Sequence, residues 1–284
     1  MNVIQLVKSV LDEQYALIPG SSEKEKDNQI RERLAYLSRQ YENLAGGDVE
    51  IDYSDPITRF AYIYRYVTAH ADFVCQLLSS TGLGNKLFHS DDDEEAKTVS
   101  VTCVGGGPGS DLVGVLKFIE RQRMEPVLRF MLLDREKLWS DAWYGVDAKL
   151  DNPLKTSVYF LQLDVTDEKS WAGLQRYKDS DLFTFIYFIS ELYGVRGEAA
   201  KFFANLFADA KSGARFLFID NNDFRFYGGF DGLCGKAKLE RVAGDEARMT
   251  TDTVEEKTDL GKYYEKFRDP KLQAKVAYRY LKKK

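Results

Sequence analysis

Between Val101 and Glu120 the chain reads VTCVGGGPGSDLVGVLKFIE, so Gly105, Gly106, Gly107 and Gly109 fall between an apolar β-branched run and an amphipathic one. Glycine there lets the backbone turn sharply and approach a ligand closely, and the following helix offers unpaired N–H groups in its first turn. That is the chemistry of a nucleotide-binding turn, and the spacing selects among its kinds. A Walker loop needs GxxxxGK[ST]; GGGPGSDL has no lysine, which excludes ATP hydrolysis by that route. A nicotinamide or flavin fingerprint needs GxGxxG, but the last position counted from Gly105 and Gly107 is Ser110. The pattern that fits is GxGxG, through Gly105, Gly107 and Gly109.

Such a turn must be carried by a strand and followed by a helix, and the surrounding sequence supplies both. From Thr98 short apolar runs alternate with amphipathic ones, the pattern of a parallel sheet with crossover helices. Strands are predicted at about 99–104, 128–133, 158–163, 182–188 and 215–219, and helices at 111–122, 136–144, 168–177 and 197–210. Two further strands, 237–242 and 275–280, flank a charged, aromatic-bearing stretch at 254–268. The first hundred residues read as helical instead: 2–18, then 23–44 stopped by Gly46-Gly47, then a helix from the Asp55-Pro56 start signal to about 80. The like-charged block 90–95 is expected to repel itself into a loop, dividing a helical cap (1–95) from an α/β domain (96–284).

The glycine loop resembles motif I of the class I S-adenosylmethionine (SAM)-dependent methyltransferases. That family has a Rossmann-like seven-stranded sheet with helices on both faces, and the resemblance runs from about 99 to 219, with the two tail strands completing the sheet. It implies SAM as cofactor, with Gly105, Gly106, Gly107 and Gly109 packed against it. It also implies roles for two carboxylates. LRFMLLDRE places Asp134, at the end of the second strand, on the ribose hydroxyls, a task suited to a group that accepts from both. YFLQLDVTD places Asp164, followed by Val165, near the adenine amino group. Each aspartate has an alternative as the cap of the helix after its strand. The family often has an acidic residue two positions before the first glycine; this chain has Cys103, and Asp111 is the candidate to compensate, toward the methionine amino group. DPITRFAYIYRYVTAHA and VGGGPGSDLVG are also similar to a eukaryotic group that includes a fungal ribosomal-RNA uridine methyltransferase.

Methyl transfer is an in-line displacement, so alignment and exclusion of water can carry most of the catalysis. The resemblance places the acceptor at the carboxyl ends of the fourth and fifth strands, FIYFISELYG and FLFIDNNDFRFYGGF. Ser190 joins the cofactor-binding set there, and Glu191 and Tyr193 are the catalytic candidates, Glu191 as a base if burial raises its pKa. Ser190 and Glu191 have an alternative as helix caps, and Asn221 and Asn222 as turn residues. Neither the [DNS]PP[YF] motif of base amino-methylating enzymes nor a PC dipeptide is present. Tyr62, Tyr66, Ala69 and Phe73 share a helix face, expected to pack the cap on the α/β domain; the alternative puts Tyr62 or Tyr66, with Arg65, over the cofactor or acceptor. His70 reads as a packing residue, and two histidines without clustered partners give no metal site.

Composition sets the outer limits. A chain of 284 residues, 44% hydrophobic, can bury a full α/β core and carry an appendage. The net charge of −5 provides no global field for nucleic acid, although Lys282-Lys283-Lys284 is a local basic patch. Three dispersed cysteines suit a reducing compartment, and Lys8, Asp12 and Glu13 interrupt the apolar N-terminus, so a cytoplasmic or nuclear protein without a membrane span is expected. Three functions follow in order: methyl transfer to a small-molecule acceptor beneath a helical lid, methyl transfer to RNA, and a methyltransferase-like scaffold or partner subunit that lacks catalysis.

Overall fold

The computed structural model describes residues 2–47, 49–89, 96–150, 154–252, 254–268 and 270–284. The acidic block at 90–95, where the domain boundary is expected, lies outside them. Helices α1 (Val3–Leu17) and α2 (Glu23–Glu42) begin at Asn2 and Ser22, whose side chains accept from the amides of Gln5 and Glu25. Helix α3 (Pro56–Tyr62) begins at Asp55 with proline in its first turn. It runs through a π turn at Ile63–Val67 directly into α4 (Thr68–Ser80), and α5 (Leu83–Phe88) follows.

The α/β region interleaves β1 (Thr98–Val104), α6 (Ser110–Gln122), β2 (Val127–Asp134), α7 (Trp139–Asp147), β3 (Thr156–Gln162), α8 (Glu168–Trp171), β4 (Leu182–Ile186), α9 (Arg196–Asp209), β5 (Arg215–Asn221), α10 (Phe224–Lys236), β6 (Glu240–Thr250), α11 (Lys262–Phe267) and β7 (Gln273–Lys282). The strands form one seven-stranded sheet in the order β3-β2-β1-β4-β5-β7-β6. β1 to β5 are parallel, and β7 runs antiparallel between β5 and β6. The order reverses between β1 and β4, and in open α/β sheets the crevice at the carboxyl ends beside such a switch is where ligands bind.

Helices cover both faces. On one, Phe202, Phe203, Phe207 and Phe230 from α9 and α10 pack on the phenylalanines of β4 and β5. On the other, the N-terminal helices and α6–α7 share a continuous apolar core in which Val3, Val10, Phe60 and Phe73 join Val113, Leu116 and Trp143. Gly114 permits the close crossing of α4 and α6, because a Cβ there would collide with the Ala71 carbonyl oxygen. Lys117 pairs with Asp72 across the same crossing, with 3% and 0% of the two side chains exposed. No helix among the described residues is long and apolar enough to cross a membrane.

Several boundaries differ from the sequence reading. The helix expected at 136–144 starts only at Trp139, since Glu136 and Leu138 are held in turns by Asp134 and Glu136 side chains. The one expected at 168–177 breaks after Trp171 into a separate 3-10 turn at Arg176–Asp179. β4 stops at Ile186, two residues early, and the strand expected at 237–242 runs instead from Glu240 to Thr250. α10 was unforeseen because Gly228, Gly229, Gly232 and Gly235 lower its helix propensity; burial of Phe226, Phe230 and Cys234 outweighs that.

Candidate active site

The glycine turn is held by its neighbouring strand. The amides of Gly105 and Gly106 donate to the Leu133 carbonyl at 2.8 and 3.1 Å, and the Gly107 amide donates to Oδ2 of Asp134 at 3.0 Å. Gly105 and Gly107 have φ of +66° and +47°, a left-handed backbone that glycine adopts without strain. Asp134 also accepts from the Glu136 amide at 2.9 Å, and burial pushes its carboxyl up to about 6. It caps no helix. Nor does Asp164, whose Oδ1 takes the Thr166 amide and hydroxyl at 2.8 and 2.7 Å; the residue that caps α8 is Asp167.

Past β4 the chain bends at Tyr187, a non-glycine residue with φ of +55°, an outlier of the kind that gathers at functional sites. Its ring stacks on His70 at 4.2 Å, and burial lowers the His70 pKa to about 3, so this imidazole is neutral and packed, as the sequence suggests. The Ser190 amide donates to the fully buried Asp220 at 2.8 Å, so Ser190 faces the end of β5. Glu191 Oε1 accepts from the hydroxyls of Tyr41 and Tyr53 at 2.6 and 3.0 Å. Burial pushes the Glu191 carboxyl up to about 7, the two phenols pull it down, and Asp134 and Asp220 oppose ionisation. Neither Ser190 nor Glu191 caps α9, which starts without a side-chain cap at Val195.

These elements surround one cavity of about 490 Å³ at the switch between β1 and β4. Gly105, Gly107, Asp134, Asp164, Val165 and Glu191 line it together. The other candidates stand back. Gly106 and Gly109 shape the turn, Ser190 turns to Asp220, and Tyr193 sits against Phe226 at 5.5 Å. Asp111 is buried under the loop, accepts from Thr184 Oγ1 at 2.5 Å and hydrogen-bonds Cys103. A carboxylate thus reaches the neighbourhood of Cys103 from α6 instead of from β1.

A family model described as "Putative SAM-dependent methyltransferase" matches residues 25–224, more than half of the chain. The chain belongs to this family. Its fold is similar to solved structures of SAM-dependent methyltransferases. One from Methanosarcina mazei is 10% identical, with 66% of this chain and 94% of that chain covered and a TM-score of 0.44. One from Leishmania major is 11% identical, with 86% and 83% covered and a TM-score of 0.45. No curated protein sequence matches the chain.

As a SAM-dependent methyltransferase the chain needs room for a nucleoside-sized cofactor, and its cavity lies within the roughly 300–1,000 Å³ usual for small-molecule sites. The residues present fit that cofactor: two glycines without side chains and two carboxylates, Asp134 and Asp164, line one wall. Of the remaining walls only Tyr62 was offered by the sequence, as the alternative to packing. Gly47, Val49, Glu50 and Tyr53 come from the segment between α2 and α3, and Tyr62 and Trp139 from α3 and α7. Trp139 reads in the sequence as core, and it is both, 2% exposed and part of the cavity wall. No sequence signal marks Tyr41 or Tyr53, which are aromatic residues in a helical region rich in them. Of the aromatic helix face only Tyr62 lines this cavity; Tyr66, Ala69 and Phe73 line a small hollow behind it, and Arg65 lines neither.

Proposed function

We propose that this methyltransferase transfers the SAM methyl group to a nitrogen or oxygen of a small, planar acceptor, with Glu191 taking the acceptor's proton. The observation that carries this reading is the Glu191 carboxyl in the same cavity as the glycine loop and Asp134. When bound, SAM supplies an electrophilic methyl on a sulfonium. Asp134 would hold the ribose hydroxyls, Asp164 and Val165 would take the adenine side, and Gly105 and Gly107 would leave room for the cofactor. Tyr53, Tyr62, Tyr187 and Trp139 line the cavity with aromatic walls suited to a flat ring. A base with a pKa of about 7 is matched to work at neutral pH.

The surroundings favour a small acceptor. An open hollow that shares Glu50, Tyr53, Arg135 and Asp164 with the cavity is lined, among the described residues, by the carboxylates of Glu50, Asp52, Glu136, Asp164 and Asp167 and by one guanidinium, that of Arg135, with Arg59 behind Asp52 and Glu136. Such a rim repels a phosphate backbone. RNA is the second reading, favoured by Phe224, 73% exposed at the start of α10, and by Arg196, 4.3 Å over the Tyr193 ring. An exposed ring, and a cation over a second, half-buried one, suit an unstacked base, and the similarity to the group with a fungal ribosomal-RNA uridine methyltransferase agrees with it.

Calorimetric titration with SAM, S-adenosylhomocysteine and NADH tests the cofactor part; micromolar binding of the first two alone is expected. Methyl-labelled SAM offered with small-molecule extract or with purified RNA tests the acceptor. Label entering the small-molecule fraction is expected, and label entering RNA alone would replace the first reading by the second.

A further inference from the structure

Three side-chain oxygens from three parts of the chain meet at Glu191. The hydroxyls of Tyr41, on α2, and Tyr53, in the segment before α3, both lie on Oε1, and they stand 2.5 Å from each other. Because both phenols approach the same oxygen, Oε2 has no donor among the described residues. Asp134 from β2 and Asp220 from β5 oppose its ionisation, and Tyr62 and Tyr66 from the α3–α4 run feel its charge. The nearest cations stand off: Arg135 shares the cavity, and Arg65 and Lys271 lie 5.9 and 5.7 Å over the Tyr66 ring. Among the described residues the contacts to the carboxylate are these hydrogen bonds and not an ion pair.

The phenols are themselves fixed. Tyr41 meets Tyr66 edge-on at 5.0 Å, and Tyr53 packs on Tyr62 at 5.6 Å and on Trp139 at 5.3 Å. Arg59 Nη1 donates to the carbonyls of Tyr53 and Ser54, each at 2.8 Å. Farther along the same segment, Gly47 lies so close to Gly194 that a Cβ on Gly194 would collide with the Gly47 carbonyl oxygen. The segment is thus held at Tyr53 and Ser54 by Arg59 and at Gly47 by Gly194, which lies three residues beyond Glu191.

We propose that Tyr41 and Tyr53 are positioning residues that tie one oxygen of Glu191 and present the other to the acceptor, so that the N-terminal helical region completes a site built on β4. This rests on the reading of Glu191 as the acceptor-side base. When Glu191 is ionised, both phenol protons can point at Oε1, and a hydrogen bond to the charged form favours that form. Removing either hydroxyl therefore makes Glu191 harder to ionise and leaves its orientation loose.

The test uses the full chain labelled with ¹³C at the glutamate side-chain carboxyls, titrated by NMR, with the Glu191 resonance identified by its loss in Glu191→Gln. Tyr41→Phe keeps the ring and its packing and removes only the hydroxyl. Its Glu191 midpoint is expected to move upward by roughly half a unit or more, the scale of a lost hydrogen bond to a carboxylate. Tyr53→Phe, an independent variant on another segment, is expected to do the same. Midpoints unchanged from wild type in both would overturn the proposal. Wild-type turnover by Glu191→Gln would overturn the base reading instead, while the titration shifts stood.

Discussion

The Gly107 amide donates to Oδ2 of Asp134 at 3.0 Å, joining the turn after β1 to the end of β2 across 27 residues of sequence. With the bonds from Gly105 and Gly106 to the Leu133 carbonyl, it sets the glycine loop and the carboxylate at a fixed spacing on one wall of the cavity. Oδ1 is occupied by the Glu136 amide, yet each carboxylate oxygen has a further lone pair with which to accept a hydroxyl.

Replacing Asp134 with alanine is expected to weaken SAM binding more than tenfold, about 1.4 kcal/mol or more, through lost charge-assisted hydrogen bonds. Calorimetry reads this directly. Unchanged affinity would remove Asp134 from the cofactor site.

Gly107→Val should abolish SAM binding while the chain stays folded. The φ of +47° strains any branched side chain, and a Cβ there, 3.8 Å from the Trp139 ring, would stand at the cavity wall. A folded variant with wild-type affinity would show that the loop does not contact the cofactor.

Glu191→Gln is expected to slow turnover at least tenfold with little change in SAM affinity, a modest loss for removal of a general base. In the wild-type enzyme the rate should rise with pH through about 7, as Glu191 loses its proton. A flat profile from pH 5.5 to 8 would assign Glu191 to structure alone.

Four carboxyls, Asp111, Asp134, Asp220 and Glu191, are raised by burial to about 6, 6, 6 and 7. Between about pH 4 and 7 these four carboxyls hold protons in the folded chain that they release on unfolding, so their contribution is greatest at the acid side of this window and falls as pH rises through it; His70, held neutral by burial, acts in the opposite sense and is one group against four. Thermal unfolding should give a higher Tm at pH 5.5 than at pH 8, with a smaller difference in Glu191→Gln. A Tm that climbs over that interval would contradict the buried-carboxyl picture.

Lys117→Ala leaves Asp72 without its cation at the α4–α6 crossing and is expected to cost about 3–5 kcal/mol in urea unfolding. Asp72 also accepts from Gln76 and from the Asp252 amide, which limits how far the carboxylate can relax. A loss under about 1 kcal/mol would mean that water reaches Asp72 when the lysine is gone.

What the sequence determined by itself is local or periodic. The GxGxG turn, the alternation of β-branched runs with amphipathic helices, and aspartates at the ends of the second and third strands follow from short-range backbone and patterning rules; they marked the strands and the segment around Gly107, Asp134 and Asp164, and the resemblance to the class I methyltransferases implied that the strands join in one seven-stranded sheet. The tertiary structure alone decided what meets across long separations. Tyr41 and Glu191 are 150 residues apart, and no spacing rule joins them; they touch because the N-terminal helices share an apolar core with one face of the sheet. The same holds for Asp111, which the sequence offers as a cofactor contact and which burial instead turns toward Thr184 and Cys103. Which way a carboxylate faces depends on the donors and the water that packing leaves within its reach, and those are set only once the core has closed.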